Sequence, residues 1–291
     1  MHDIVIIGAG PAGLTAATYL GRFRRQALVI DGEASRARWI PKSRNMPGFS
    51  QGVGGPELLA QLRLQAVRYG AHLRPGHVQS LRRIENGLEV HLGTDTLESR
   101  FVLLATGVRD HLPPLPGVAE AVLRSVVRVC PICDGFEATG KNIAVISDND
   151  RGAAEAEFLT TYSDRVTLIS TGDITEVRCK KLDAAGIQVV RAGWAQLELS
   201  EAALHLHSPE HSMTFEAVYS ALGCTPLDRL ASDLGAELDA DHALVVDAHQ
   251  KTSVPFLYAA GDVVRGLNQI AVAAAEGAIA ATDIHNQLRK N

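Results

Sequence analysis

The sequence predicts an α/β protein built around two βαβ units of the same kind. Three observations carry this expectation. A glycine-rich turn joins a β-branched run to an Ala-rich stretch near the N-terminus, the same pattern returns 139 positions later, and 291 residues are enough chain for about two domains. A composition of 46% hydrophobic and 21% charged residues, with 26 Gly and 12 Pro, excludes disordered, collagenous and disulfide-dense secreted classes. No apolar run reaches the length of about 18 residues that a membrane helix needs. The N-terminus also lacks a basic segment followed by a cleavable apolar one, so a cytoplasmic protein without membrane contact is expected.

The first unit opens with the strand Asp3–Ile7, turns through Gly8-Ala9-Gly10-Pro11-Ala12-Gly13, continues as a helix from Leu14 to Leu20, and returns as the strand Ala27–Ile30, which ends in Asp31. Asp31 follows Gly8 by 23 residues, close to the spacing of about 20 expected in a dinucleotide-binding, Rossmann-like unit. The glycines let backbone N–H groups meet a pyrophosphate at the positive end of the helix, and the acid accepts from ribose hydroxyls.

The second unit begins with the strand Asn142–Ile146. Shifting the first unit by 139 places Gly13 on Gly152 and Asp31 on Ser170, while Gly8, Ala9, Gly10 and Pro11 become Ser147, Asp148, Asn149 and Asp150. The fold pattern is retained and the phosphate chemistry is lost, because side chains stand where bare backbone must meet phosphate and two carboxylates would repel it. Pro113-Pro114-Leu115-Pro116-Gly117 reads as a stiff crossover. The apolar runs Phe101–Leu104 and Val218–Ser220 end in Ala105-Thr106-Gly107 and Ala221-Leu222-Gly223. Thr252–Asp262 reads as an apolar strand closing in a Gly-Asp turn, followed by an Ala-rich helix from about Gln269 to Leu288.

Of the four cysteines, only Cys130-Pro131-Ile132-Cys133 has a chemically meaningful spacing. In an α/β chain this C-x-x-C reads as a redox pair or half of a zinc site. Zinc would need Cys179, Cys224 or the His205, His207, His211 cluster; small buried thiols and a solvated hairpin are the plainer readings, and no metal is expected. At a helix start, unpaired N–H groups favour a thiolate.

These elements resemble the low-molecular-weight, thioredoxin-reductase-like flavoproteins along nearly the whole chain. The likeness rests on Gly8–Gly13, Ala105-Thr106-Gly107, Cys130-Pro131-Ile132-Cys133-Asp134-Gly135, Ala259-Ala260-Gly261-Asp262 and Asn268-Gln269. It implies two three-layer, Rossmann-like FAD/NAD(P)-binding domains, the second inserted in the first: residues 1–112 with 246–291 for FAD, and 113–245 for the insert carrying the CxxC. It further implies a homodimer. The FAD contacts it implies are Gly8, Gly10, Pro11, Ala12, Gly13, Asp31, Asn45, Ala105, Thr106, Gly107, Gly261, Asp262, Asn268, Gln269 and Ile270. Cys133 would face the flavin, Cys130 would exchange with a thioredoxin-like protein or a small disulfide or dithiol, and Asp134 would act as acid/base, with helix capping as the alternative role for that residue.

The sequence departs from the family where NADPH would bind. An HRR-type cluster is replaced by Ser170-Thr171-Gly172-Asp173, so NAD(P)H is not expected. A donor such as ferredoxin, flavodoxin or a second flavin is the leading expectation. A conventional NADPH-dependent reductase, an oxygen-dependent dithiol oxidase and a flavin-binding redox sensor are the alternatives. Residues 1–129 hold sixteen basic against ten acidic side chains and residues 130–291 twelve against twenty-three. Arg22, Arg24, Arg25, Arg36, Arg38, Lys42 and Arg44 form a basic stretch that would suit an acidic electron-transfer protein or, with Trp39, a second flavin. Without interleaved aromatics it does not suit nucleic acid.

Overall fold

A computed structural model describes residues 1–264 and 266–290. The first unit opens with β1 (His2–Ile7), α1 (Pro11–Arg22) and β2 (Ala27–Asp31), then α2 (Gly55–Arg68), β3 (His72–Pro75), β4 (Ser80–Ile84), β5 (Gly87–Leu92) and β6 (Asp95–Leu104). The chain crosses through β7 (Val108–Asp110) into α3 (Val118–Leu123), β8 (Val127–Arg128), α4 (Pro131–Asp134), β9 (Ile143–Ser147), α5 (Arg151–Leu159), β10 (Val166–Ser170), α6 (Glu176–Ala184) and β11 (Gln188–Arg191). It continues as β12 (Leu197–Leu199), β13 (Leu204–His207), β14 (Ser212–Phe215) and β15 (Ala217–Ser220). It returns through β16 (Cys224–Pro226), α7 (Arg229–Ser232), β17 (Leu257–Ala259) and α8 (Ile270–Lys290).

The first sheet runs β3-β2-β1-β6-β5-β4, with β17 also on β6; the second runs β11-β10-β9-β15-β8 and is parallel throughout. The repeat seen in the sequence is therefore an architectural one: β2 and β10 are the same strand shifted by 139, Ala27–Asp31 onto Val166–Ser170. Alternation along β1 divides its side chains between two cores. Ile4 and Ile6 pack under α1 and α8, and Val5 and Ile7 pack on the opposite face. In β9, Ala144 and Ile146 are likewise separated from Ile143 and Val145.

Two expectations need correction. Residues 229–245, expected in the insert, pack with the first sheet: Ala231 and Leu244 share a core with Val5 and Ile7. The crossing is the antiparallel ribbon of β7 and β16, where Cys224 pairs with Asp110 and Pro226 with Val108, and the apolar residues beyond it bury against the nearer sheet. The strand expected from Thr252 begins only at Leu257, because Pro255 and Phe256 (φ 67°) turn the chain first.

Candidate functional site

The turn after β1 has the geometry its glycines suggest. Gly8 has φ 114°, and a Cβ there would lie 2.2 Å from the Ala105 carbonyl oxygen; at Gly13 it would lie 2.0 Å from the Gly8 carbonyl oxygen. A Cβ on Gly10 would meet only the Ser35 hydroxyl, at 3.4 Å, so of the three glycines this one is the least enclosed. Gly10 caps α1 without a side-chain hydrogen bond, Pro11 follows, and the first turn has no acid. A 12-residue helix thus presents bare N–H groups at this turn. This cradle fits the pyrophosphate of FAD.

Of the other expected FAD contacts, Ala105, Thr106 and Gly261 lie against this turn, and the rest make contacts of their own. Ala105, Thr106 and Gly107 follow β6 beside Gly8, with the Thr106 hydroxyl donating to the Leu227 carbonyl at 2.8 Å. Gly261 approaches Ala12, its N–H donating to Glu276 at 2.7 Å. The Asp262 carboxylate accepts from Arg36 at 3.1 Å. Asn45 donates to Gln269 at 2.8 Å, while Asn268 and Ile270 flank Gln269 at the start of α8. Asp31 ends β2 as expected, and its carboxylate already accepts from the Glu33 N–H at 2.8 Å and pairs with Arg63.

The insert brings its cysteines to this set. Cys130 and Cys133 form a disulfide, and the Gln269 amide lies 3.2 Å from the Cys133 sulfur and 3.5 Å from that of Cys130. Cys130 is the N-cap of α4, its sulfur accepting from the Cys133 N–H at 3.2 Å. Asp134 is the last residue of the four-residue α4 and so also lies in its first turn, while the N-cap position is taken by Cys130. Its carboxylate faces Arg128 and the Tyr219 hydroxyl. Burial raises its pKa; Arg128 and the hydroxyl pull it down.

The second βαβ turn is arranged differently. The Ser147 hydroxyl donates to the Asn149 carbonyl at 2.8 Å, and Asn149 Oδ1 accepts from the Arg151 N–H at 2.8 Å. Asp150 is turned toward α6, accepting from the Thr175 N–H and hydroxyl at 3.1 Å each. Between the loops that follow β9 and β10, a Cβ on Gly172 would lie 2.3 Å from the Asp148 carbonyl oxygen. The loops that follow β9 and β10 also lie close together, the Thr171 N–H donating to the Ser147 carbonyl at 2.9 Å.

Several contributors escaped sequence reasoning. Arg36 was read as part of an exposed basic stretch, yet it forms a bidentate pair with Asp110 at 2.7 and 2.8 Å and also holds Asp262. Arg44 pairs with Glu137 at 3.6 Å, so the stretch is not a single outward face. Arg128 carried a signal: it is a lone cation in the apolar run Val126-Val127-Arg128-Val129. The histidines of the proposed cluster lie at a hairpin, His205 bonding Thr214 and Ser200. Cys179 and Cys224 are unpaired thiols.

Comparison with known proteins agrees with this arrangement. The pyridine nucleotide-disulphide oxidoreductase family profile matches residues 2–277. The thioredoxin reductase of Mycolicibacterium smegmatis is 32% identical over 298 residues, covering 97% of this chain and 94% of that protein. That of Treponema pallidum (strain Nichols) is 30% identical over 294 residues, covering 96% and 95%. The crystal structure of thioredoxin reductase from Streptococcus pyogenes MGAS5005 shares the fold, with a TM-score of 0.91 at 24% identity over 100% of this chain and 99% of that one. The chain belongs to the pyridine nucleotide-disulphide oxidoreductase family, as a thioredoxin-reductase-like flavoprotein disulfide oxidoreductase.

Proposed function

We propose that this disulfide oxidoreductase exchanges electrons between FAD and the Cys130–Cys133 pair without using NAD(P)H. The observation that carries the reading is the make-up of the second βαβ turn, where Ser147, Asp148, Asn149 and Asp150 stand in place of the glycine-rich sequence and Ser147, Asn149 and Asp150 bond one another or α6. A dinucleotide there would meet side chains in place of bare backbone and lie beside two carboxylates. The bound flavin supplies two-electron chemistry next to the dithiol. The chain's own residues do the rest: Gly8 to Gly13 and the α1 N-terminus hold the pyrophosphate, Asp262 and Gln269 orient the cofactor, and Cys133 is the sulfur nearer Gln269. Cys130 then exchanges with a thioredoxin-like protein or a small disulfide through a mixed disulfide.

Electrons enter from a protein donor such as ferredoxin or flavodoxin, or from a second flavin. The test is anaerobic mixing of the purified flavoprotein with NADPH, NADH, reduced ferredoxin, reduced flavodoxin, free reduced flavin and a dithiol in turn, following flavin absorbance. The expected result is no prompt bleaching by either pyridine nucleotide and bleaching by one of the other donors. Prompt bleaching by NADPH would overturn the reading and restore a conventional thioredoxin reductase. Bleaching by the dithiol alone, with fast recovery in air, would assign the reaction the oxidase direction.

A further inference from the structure

β8 and β15 are parallel neighbours, and their register sets Arg128 beside Tyr219. Both side chains are withdrawn from solvent: that of Arg128 is 4% exposed, and Tyr219 is 0% exposed. A buried guanidinium is costly unless it is paired and hydrogen-bonded. Its partners therefore indicate its purpose. Nε of Arg128 donates to the Ser125 carbonyl at 3.1 Å, and Nη1 donates to the Asp134 carbonyl at 2.8 Å while lying 3.3 Å from Asp134 Oδ2. The Tyr219 hydroxyl donates to Asp134 Oδ1 at 3.0 Å and to the same carbonyl at 3.2 Å. The guanidinium also lies over the tyrosine ring, 5.9 Å from its centroid. The remaining guanidinium contacts and both hydroxyl contacts converge on Asp134, the residue that directly follows Cys133. Stability alone does not call for them, since apolar replacements of buried ionic groups are often neutral or stabilising.

We propose that Arg128 and Tyr219 are positioning residues that hold the Asp134 carboxylate and govern its proton exchange with the Cys130–Cys133 pair. The proposal rests on the reading of Asp134 as acid/base and names what controls it. When a substrate thiolate attacks the Cys130 sulfur, the bond to Cys133 breaks and a bond from substrate to Cys130 forms. The substrate sulfur is oxidised to the mixed disulfide, and Cys133 leaves with the electron pair as thiolate. Protonated Asp134 gives it a proton and becomes a carboxylate, which Arg128 and Tyr219 stabilise; in the reverse direction the carboxylate takes that proton back. Around the carboxyl, burial and the neighbouring Glu137 favour the neutral form, whereas Arg128 and Tyr219 favour the charged one. Removing either of the latter weakens the opposition to the former.

The test is the rate at which iodoacetamide alkylates the anaerobically reduced flavoprotein as a function of pH, read by mass spectrometry. In the parent protein the profile shows the thiol break and a lower break from Asp134, and Asp134→Asn removes the lower one. Arg128→Met moves the lower break up by about one pH unit. Arg128→Lys, which restores the charge, moves it less. Tyr219→Phe keeps the ring in place, removes only the hydroxyl, and moves the break up by a smaller amount than Arg128→Met. A purely structural role lowers the melting temperature and leaves the break where it was. If Asp134→Asn removes the break but Arg128→Met and Tyr219→Phe do not move it, the proposal is wrong and the acid/base reading stands. If Asp134→Asn leaves the break in place, the acid/base reading itself fails, and the proposal with it.

Discussion

Glu155 on α5 shows how a single group ties stability to pH. Its Oε2 is buried without a hydrogen-bond partner among the described residues, and burial pushes its pKa from 4.5 up to about 7. Between those values the folded chain keeps a proton that the unfolded chain has released, so stability falls as pH rises through the window and levels off above it. Glu155→Gln removes the effect: the variant should be more stable than the parent by about 1–3 kcal/mol at about pH 8 and nearly equal at about pH 4. Urea unfolding at the two pH values measures it, and an equal gain at both would contradict the assignment to ionisation. Single residues were unevenly legible in the sequence. Gly8, Gly13, Cys130 and Cys133 announce themselves because their roles depend on local backbone and spacing. Arg36 and Tyr219 do not, because their partners, Asp110 with Asp262 and Asp134, are 74, 226 and 85 positions away.

At the scale of elements, the expected positions held where periodicity and glycine chemistry agreed. α8 spans Ile270–Lys290 where an Ala-rich helix was expected, and β10 falls where the repeat puts it. The Thr252–Phe256 segment was misread because its apolar composition suits a strand, while Pro255 and the positive φ of Phe256 impose a turn. α8 also has a contact that no local pattern reveals. It crosses α1 so closely that a Cβ on Gly277 would lie 2.3 Å from the Ala12 carbonyl oxygen. Ala12 lies in the first turn of α1, beside the cradle proposed for the pyrophosphate, so a strain here is expected to act on cofactor binding as well as on packing. Gly277→Ala should cost about 1–3 kcal/mol and weaken flavin retention. Thermal unfolding and the bound-flavin absorbance ratio test both, and loss of stability with unchanged flavin affinity would separate the helix crossing from the cradle.

Across the whole molecule, the two sheets are joined by the β7–β16 ribbon and by a few polar contacts, Arg44 with Glu137, Arg151 with Asp241 at 2.7 Å, and Gln269 with the disulfide. The Arg151–Asp241 pair has side chains 69% and 70% exposed and adds little to stability. The sequence made the duplication readable, because the two units repeat at a fixed offset, but the return point of the chain was not. That point depends on which sheet Ala231 and Leu244 bury against, and they pack with Val5 and Ile7 of the first. The make-up of the second βαβ turn carries the largest consequence. Replacing Ser147, Asp148, Asn149 and Asp150 by Gly, Ala, Gly and Pro, as in the first unit, should leave titration calorimetry with NADPH silent, since Ser170-Thr171-Gly172-Asp173 still offers no cation to a 2′-phosphate. Tight binding by that variant would show that the side chains alone were the obstacle. In evolutionary terms such a turn works as a ratchet. Gaining a dinucleotide there would require the loss of two carboxylates and the arrival of new phosphate ligands together, with neither step useful alone.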